Sequence, residues 1–194
     1  MRPNRQNLRS LAAMITMITA PYLGYAGMSV EEIVQFKDLL TKAERGDRGA
    51  QELVAIHYEL GTGISIDLKE AAHWFRKAAG QDSIMAQFRL GTYYLNGKGV
   101  EKDPTTAAIW LRKAAMRGHA AAQIKLGECH ESGNGVPKDL IEAYALYNLA
   151  SIINLDGPRK RDELKGQMTK AQLESAQRRT ISLQKEIQQA SQGK

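Results

Sequence analysis

Glu128-Cys129-His130-Glu131 places a thiol, an imidazole and two carboxylates in four consecutive residues. Those are the groups that ligate soft metals or build a cysteine–histidine nucleophile. The spacing argues against both uses. Neighbours on a helix point about 100° apart, so adjacent ligands chelate one ion poorly. His57, His73 and His119 stand at unrelated places, and no serine, histidine and acid recur together as a triad requires. Gly61/Gly63, Gly97/Gly99 and Gly133/Gly135 have the outline of a phosphate loop. Such a loop follows a strand and opens a helix, whereas these glycines close one. The basic run Arg159-Lys160-Arg161 is met at once by Asp162-Glu163 and reads as a solvated helix start. The residues thus predict no catalytic group, no metal site and no cofactor.

What positions these residues is a repeat of 36. Ala50/Ala86, Gln51/Gln87, Tyr58/Tyr94, Gly61/Gly97, Gly63/Gly99, Asp67/Asp103 and Trp74/Trp110 coincide at that offset, and Ala122-Gln123, Gly133, Gly135 and Asp139 continue it. His130 falls in the slot of Tyr58 and Tyr94, which makes it a packing residue. A fixed period of roughly 20–50 residues marks a stacked solenoid. Within each unit Ala86, Leu90 and Tyr94 recur at helical spacing as a core stripe, and Gly97 and Gly99 stop the helix. Asp103-Pro104 starts a second helix, whose apolar face holds Ala107, Trp110, Leu111 and Ala114, with the tryptophan as a wedge between pairs. No segment alternates with period two. The predicted fold is all-α, a right-handed α-solenoid of antiparallel helix pairs closed by C-terminal capping helices.

The expected organisation is a secretory signal over residues 1–26, a leading partial repeat helix over 27–48, repeats over 49–84, 85–120 and 121–156, and capping helices over 157–194. Arg2, Arg5 and Arg9 precede the apolar Leu11–Leu23, and Gly24-Tyr25-Ala26 supplies the small residues of a cleavage site. That pattern predicts export to the periplasm or beyond, without an integral membrane segment once the leader is removed. A cytoplasmic location follows if it is not a signal. Ser29 to Glu32 is a capping box opening a helix to about Glu44. Asp156-Gly157-Pro158 is expected to break the chain before a short helix from Arg159. A last helix runs from Thr169 to about Gln189, with Leu173, Ala176, Thr180, Leu183 and Ile187 on one stripe, enough to pair with a second copy. The net charge of +6 belongs to the two ends, since residues 49–150 balance. A nucleic-acid binder carries a basic stripe on its folded body, so that class is excluded.

The pattern from Ala86 to Ala115 resembles the Sel-one-like repeat (SLR), a bacterial relative of the tetratricopeptide repeat, over about residues 29–155. Ala55, His130 and Leu146 depart from it. The resemblance implies a non-enzymatic protein–protein interaction scaffold or regulator of the bacterial envelope. The alternatives it implies are a secreted host-interacting factor or a β-lactam-binding or -hydrolysing enzyme. Relatives linked to β-lactams carry paired cysteines, and this chain has only Cys129. By the same resemblance, the outer face of each unit's first helix lines a concave groove. It would comprise Glu52, Ile56 and Glu59, then Phe88, Thr92 and Asn96, then Ile124, Glu128 and Glu131. So drawn, the groove holds four glutamates and no base, and suits a protein or peptide segment that is basic and aliphatic.

Overall fold

The computed structural model describes residues 29–151 and 156–192, all its elements being helices. The leader expected over residues 1–26 lies outside the described residues. In chain order the helices are α1 (Val30–Glu44), α2 (Arg48–Leu60), α3 (Leu68–Gly80), α4 (Ile84–Asn96), α5 (Pro104–Ala115), α6 (Ala120–Ser132), α7 (Leu140–Ala150), α8 (Asp156–Lys165) and α9 (Lys170–Gln192). α2 with α3, α4 with α5, and α6 with α7 form the three pairs. Each pair's first helix also packs on the second helix of the unit before it, with α1 serving α2. The result is an α-solenoid with a continuous seam.

Capping chemistry sets the boundaries. Asp67, Asp103 and Asp139 accept from free amides at the starts of α3, α5 and α7. Ser29 and Glu32 close the capping box of α1, and Thr169 and Gln172 bond reciprocally at the start of α9. Gly61, Gly97 and Gly133 end α2, α4 and α6 at φ of 68°, 68° and 77°, where a side chain would be strained. In the later two pairs the second glycine has a different duty. A Cβ on Gly99 would lie 1.9 Å from the Leu68 carbonyl oxygen, and one on Gly135 2.1 Å from that of Pro104. These loops therefore rest directly on the start of the preceding unit's second helix.

The core follows the repeat with two shifts of one residue. Tyr93 is fully buried and Tyr94 only half-buried, so the aromatic at the expected stripe position is not the deepest. Tyr94 instead accepts a bond from Arg76 of α3, at 3.0 Å. On the second helices Trp74 is buried and Trp110 half-buried, while the next residues, Phe75, Leu111 and Tyr147, are completely enclosed. Leu111 and Tyr147 face Gly91 and Gly127 of their own units, where a Cβ would meet them at 2.8 and 2.5 Å, and Phe75 shares its core cluster with Ala55. Small residues on the first helix thus set how closely each pair approaches.

A polar ladder fastens unit to unit. Gln51, Gln87 and Gln123, all buried, donate Nε2 to the carbonyls of Ala43, Ala79 and Ala115 at 3.0, 3.3 and 3.1 Å. Each bond crosses from a first helix to the end of the preceding second helix, where a carbonyl would otherwise lack part of its satisfaction.

The C-terminal end differs from expectation in two ways. α8 begins at Asp156, three residues early, because proline is tolerated in a first helical turn. Gly157 is not a breaker: it is buried, and a Cβ there would lie 2.7 Å from the Ser151 amide nitrogen, so it lets α8 seat against the end of α7. α9 turns back over α7 and caps the end of the seam. Its stripe is consumed there: Ala176, Thr180 and Leu183 are buried and Ile187 packs on the same cluster. That stripe is not available to a second copy. Arg179 grips the largely enclosed Glu142 of α7 through two bonds of 2.6 and 3.1 Å and reaches Glu186 at 2.8 Å.

Candidate partner-binding face

The cysteine–histidine cluster is structural, as its place in the repeat predicts. His130 is buried on α6, its Nδ1 toward the Pro137 carbonyl at 3.3 Å and its Nε2 toward Arg112 at 3.3 Å. Arg112 occupies the slot of Arg76, and His130 that of Tyr94, so histidine preserves the bond that tyrosine makes one unit earlier. Since arginine only donates, Nε2 accepts and Nδ1 carries the proton, leaving neither nitrogen for an ion. Cys129 is buried, and burial, reinforced by the Glu128 carboxylate, pushes its thiol up to about 11. A thiol held protonated at neutral pH is a weak nucleophile.

The nine nominated groove residues all lie on α2, α4 and α6, and all but the buried Ile124 keep some exposure. Phe88, Ile124 and Glu128 come together, with Lys125, Asp156 and Lys160, around a hollow of about 160 Å³ between α4, α6 and α8. Phe88 also stacks on the His119 ring at 4.6 Å. Glu52, Ile56 and Glu59 line α2 farther along, and Thr92 and Asn96 lie beyond Phe88 on α4. A larger apolar hollow of about 460 Å³, between α5 and the loop before α7, contains none of these residues.

The electrostatics differ from the expectation of an acidic face without a base. Glu59 meets Arg89 of α4 at 3.3 Å. Glu128 meets Lys125 at 2.8 Å and Lys160 of α8 at 2.9 Å. Burial alone would raise the Glu128 carboxyl, but the hydrogen bonds and charges of those two lysines outweigh it and hold the group below the usual carboxylate range. Glu131 accepts the Tyr147 hydroxyl at 2.7 Å, and burial with that carboxylate pushes the phenol far up. The bases were hidden because they sit one residue off the chosen stripe or arrive from α8. Spacing within one helix shows neither. Ile124 is buried, and the hydroxyls and amide of Thr92, Asn96 and Ser132 bond back to carbonyls of their own helices.

Sequence reasoning passed over the three glutamines that cross between units. The signal was present, a polar residue recurring beside a core alanine in every copy. It also passed over His119, whose Nδ1 accepts the Ala122 amide at 3.1 Å and so caps α6. Burial lowers its pKa, the nearby Arg89 acting in the same direction. The equivalent caps are Asp47 and Ser83, so the slot was legible but its histidine was not.

The Sel1 repeat model matches residues 49–83, 84–119 and 120–153. A Sel1 repeat protein from Oxalobacter formigenes is 35% identical with a TM-score of 0.61, over 66% of this chain and 98% of that one. An SLR-fold protective antigen of uropathogenic Escherichia coli strains is 31% identical with a TM-score of 0.62, over 78% of this chain. Only 41% of that antigen is spanned. Helicobacter pylori cysteine rich protein B is 25% identical with a TM-score of 0.52, over 68% of this chain and 97% of that one. No curated protein matches the sequence. With helix pairs, glycine loops and repeat matches in one register, the chain belongs to the Sel1 repeat family.

Proposed function

We propose that this chain is a non-enzymatic scaffold or regulator of the bacterial envelope, exported to the periplasm, which holds a segment of a partner protein against its first helices. Sel1 repeat proteins are typically protein-interaction scaffolds, and their fold is generally non-catalytic. The observation that carries the reading is the division of labour within each unit. The recurring residues are spent on caps, seam and inter-unit bonds, while the outward slots of α2, α4 and α6 change chemistry from unit to unit. A surface whose fold is repeated and whose side chains are not suits recognition. The reactive-looking residues, Cys129 and His130, are consumed by packing.

Intact mass of the chain from its native host tests export: loss of residues 1–26 supports it, and a retained leader refutes it. Crosslinked capture from the envelope fraction, repeated with Glu52→Lys, tests the surface. Glu128→Lys is unsuitable because it would gather three lysines and break two internal bridges. Capture that is unchanged by Glu52→Lys would remove this face from the proposal. A second reading, a secreted factor meeting a host, draws on the likeness to the E. coli protective antigen. Recovery of the mature chain from medium instead of periplasm would favour it.

A further inference from the structure

Three slots on the outward face of the first helices can be compared across units. The first is Leu53, Arg89 and Lys125; the second is Ile56, Thr92 and Glu128; the third is Leu60, Asn96 and Ser132. Units two and three fill them with polar groups that are already bonded, Arg89 to Glu59, Lys125 to Glu128, and the others to their own helices. Unit one fills all three with aliphatics. Leu53, Ile56 and Leu60 stand at i, i+3 and i+7, within about 60° of arc on α2 and opposite its buried stripe. Leu53 is 50% exposed and Leu60 64% exposed. Ile66, also 64% exposed, extends the row, because its side chain lies against Gly61 beside Leu60.

Single exposed aliphatics are ordinary on soluble proteins; Leu53, Leu60 and Ile66 gathered around Ile56, which is half-buried and packs in part on the core, form a patch that is not. Glu52 flanks this row, half-buried, and has no basic partner among the described residues. The neighbouring Glu59 is neutralised by Arg89. An apolar ridge beside one uncompensated carboxylate favours a matching ridge with a cation at its edge. Resting on the scaffold reading above, we infer that unit one alone is the docking surface. Its occupant is an aliphatic segment of a partner protein, with a lysine or arginine within one helical turn of the contacting residues. Units two and three, and α8 behind them, support that surface without touching the partner.

One slot read in three units provides the test. The photo-crosslinker p-benzoylphenylalanine is placed at Leu60, Asn96 or Ser132 of the full chain in its native host, and adducts are mapped by mass spectrometry. Adducts from position 60 alone are expected, on a segment of the stated composition, with yield falling roughly tenfold when Leu53→Glu or Glu52→Lys is added. These residues are exposed or half-exposed, so both changes leave the fold intact, which circular dichroism verifies. Adducts from 96 or 132 at equal yield would overturn confinement to unit one while leaving the scaffold reading in place. Adducts from 60 to a second copy of this chain, or to a segment lacking a cation, would overturn the assigned occupant. No adducts from any of the three would remove both.

Discussion

His119 holds the start of α6 by accepting an amide bond at its Nδ1, a role that only the neutral ring can fill. Burial depresses its pKa, so the unfolded chain takes up a proton more readily than the folded one. Its contribution is therefore complete above the ordinary histidine value of about 6.5 and is lost as pH falls through the lower folded-state value. Urea unfolding from about pH 7.5 down to 5 should show this decline, and His119→Asn should flatten it by retaining a cap that does not titrate. An unchanged slope in the variant would assign the pH dependence elsewhere. The slot was readable from the repeat, since Asp47 and Ser83 occupy it in the other units. Its titration was not, because burial against Phe88 depends on how two units stack. His130 was readable throughout: the offset alone placed it where a tyrosine packs.

At the scale of helices and loops, glycines divide by what a Cβ would meet. Gly135→Ala drives a methyl into the Pro104 carbonyl at φ of +76°, which only backbone movement can relieve. It should cost about 2–4 kcal/mol in chemical denaturation. Gly80→Ala meets nothing at the end of α3 and should be neutral or stabilising by up to about 1 kcal/mol. Equal effects would refute the reading of the second glycine as an inter-unit contact. Helix ends and pairings were legible because caps and glycines are local signals. The start of α8 and the course of α9 were not. Pro158 and Gly157 carry the same letters whether they break a helix or seat one, and only the approach to α7 decides.

For the whole molecule, α9 seals the end of the solenoid through an apolar stripe and one largely enclosed ion pair. Arg179→Met removes both hydrogen bonds to Glu142 and should cost about 1.5–3 kcal/mol, with limited proteolysis releasing α9 before the repeats. Arg112, 4.0 Å from Glu142, keeps one longer ion pair to it, which limits the loss. The candidate face was legible as a face, since periodicity separates inward from outward positions. Its charge was not legible: Glu59 and Glu128 meet bases on α4, α6 and α8, Glu131 is bonded by the Tyr147 hydroxyl of α7 while keeping its charge, and Glu52 has no basic partner among the described residues. The proposed docking surface therefore rests on how unit one departs from its two copies. Backbone amide exchange of the full chain, alone and saturated with the segment recovered by crosslinking, measures this most directly. The account predicts added protection over residues 48–66 with α4 and α6 unchanged; protection spread evenly over α2, α4 and α6, or confined to α5 and α7, would contradict it.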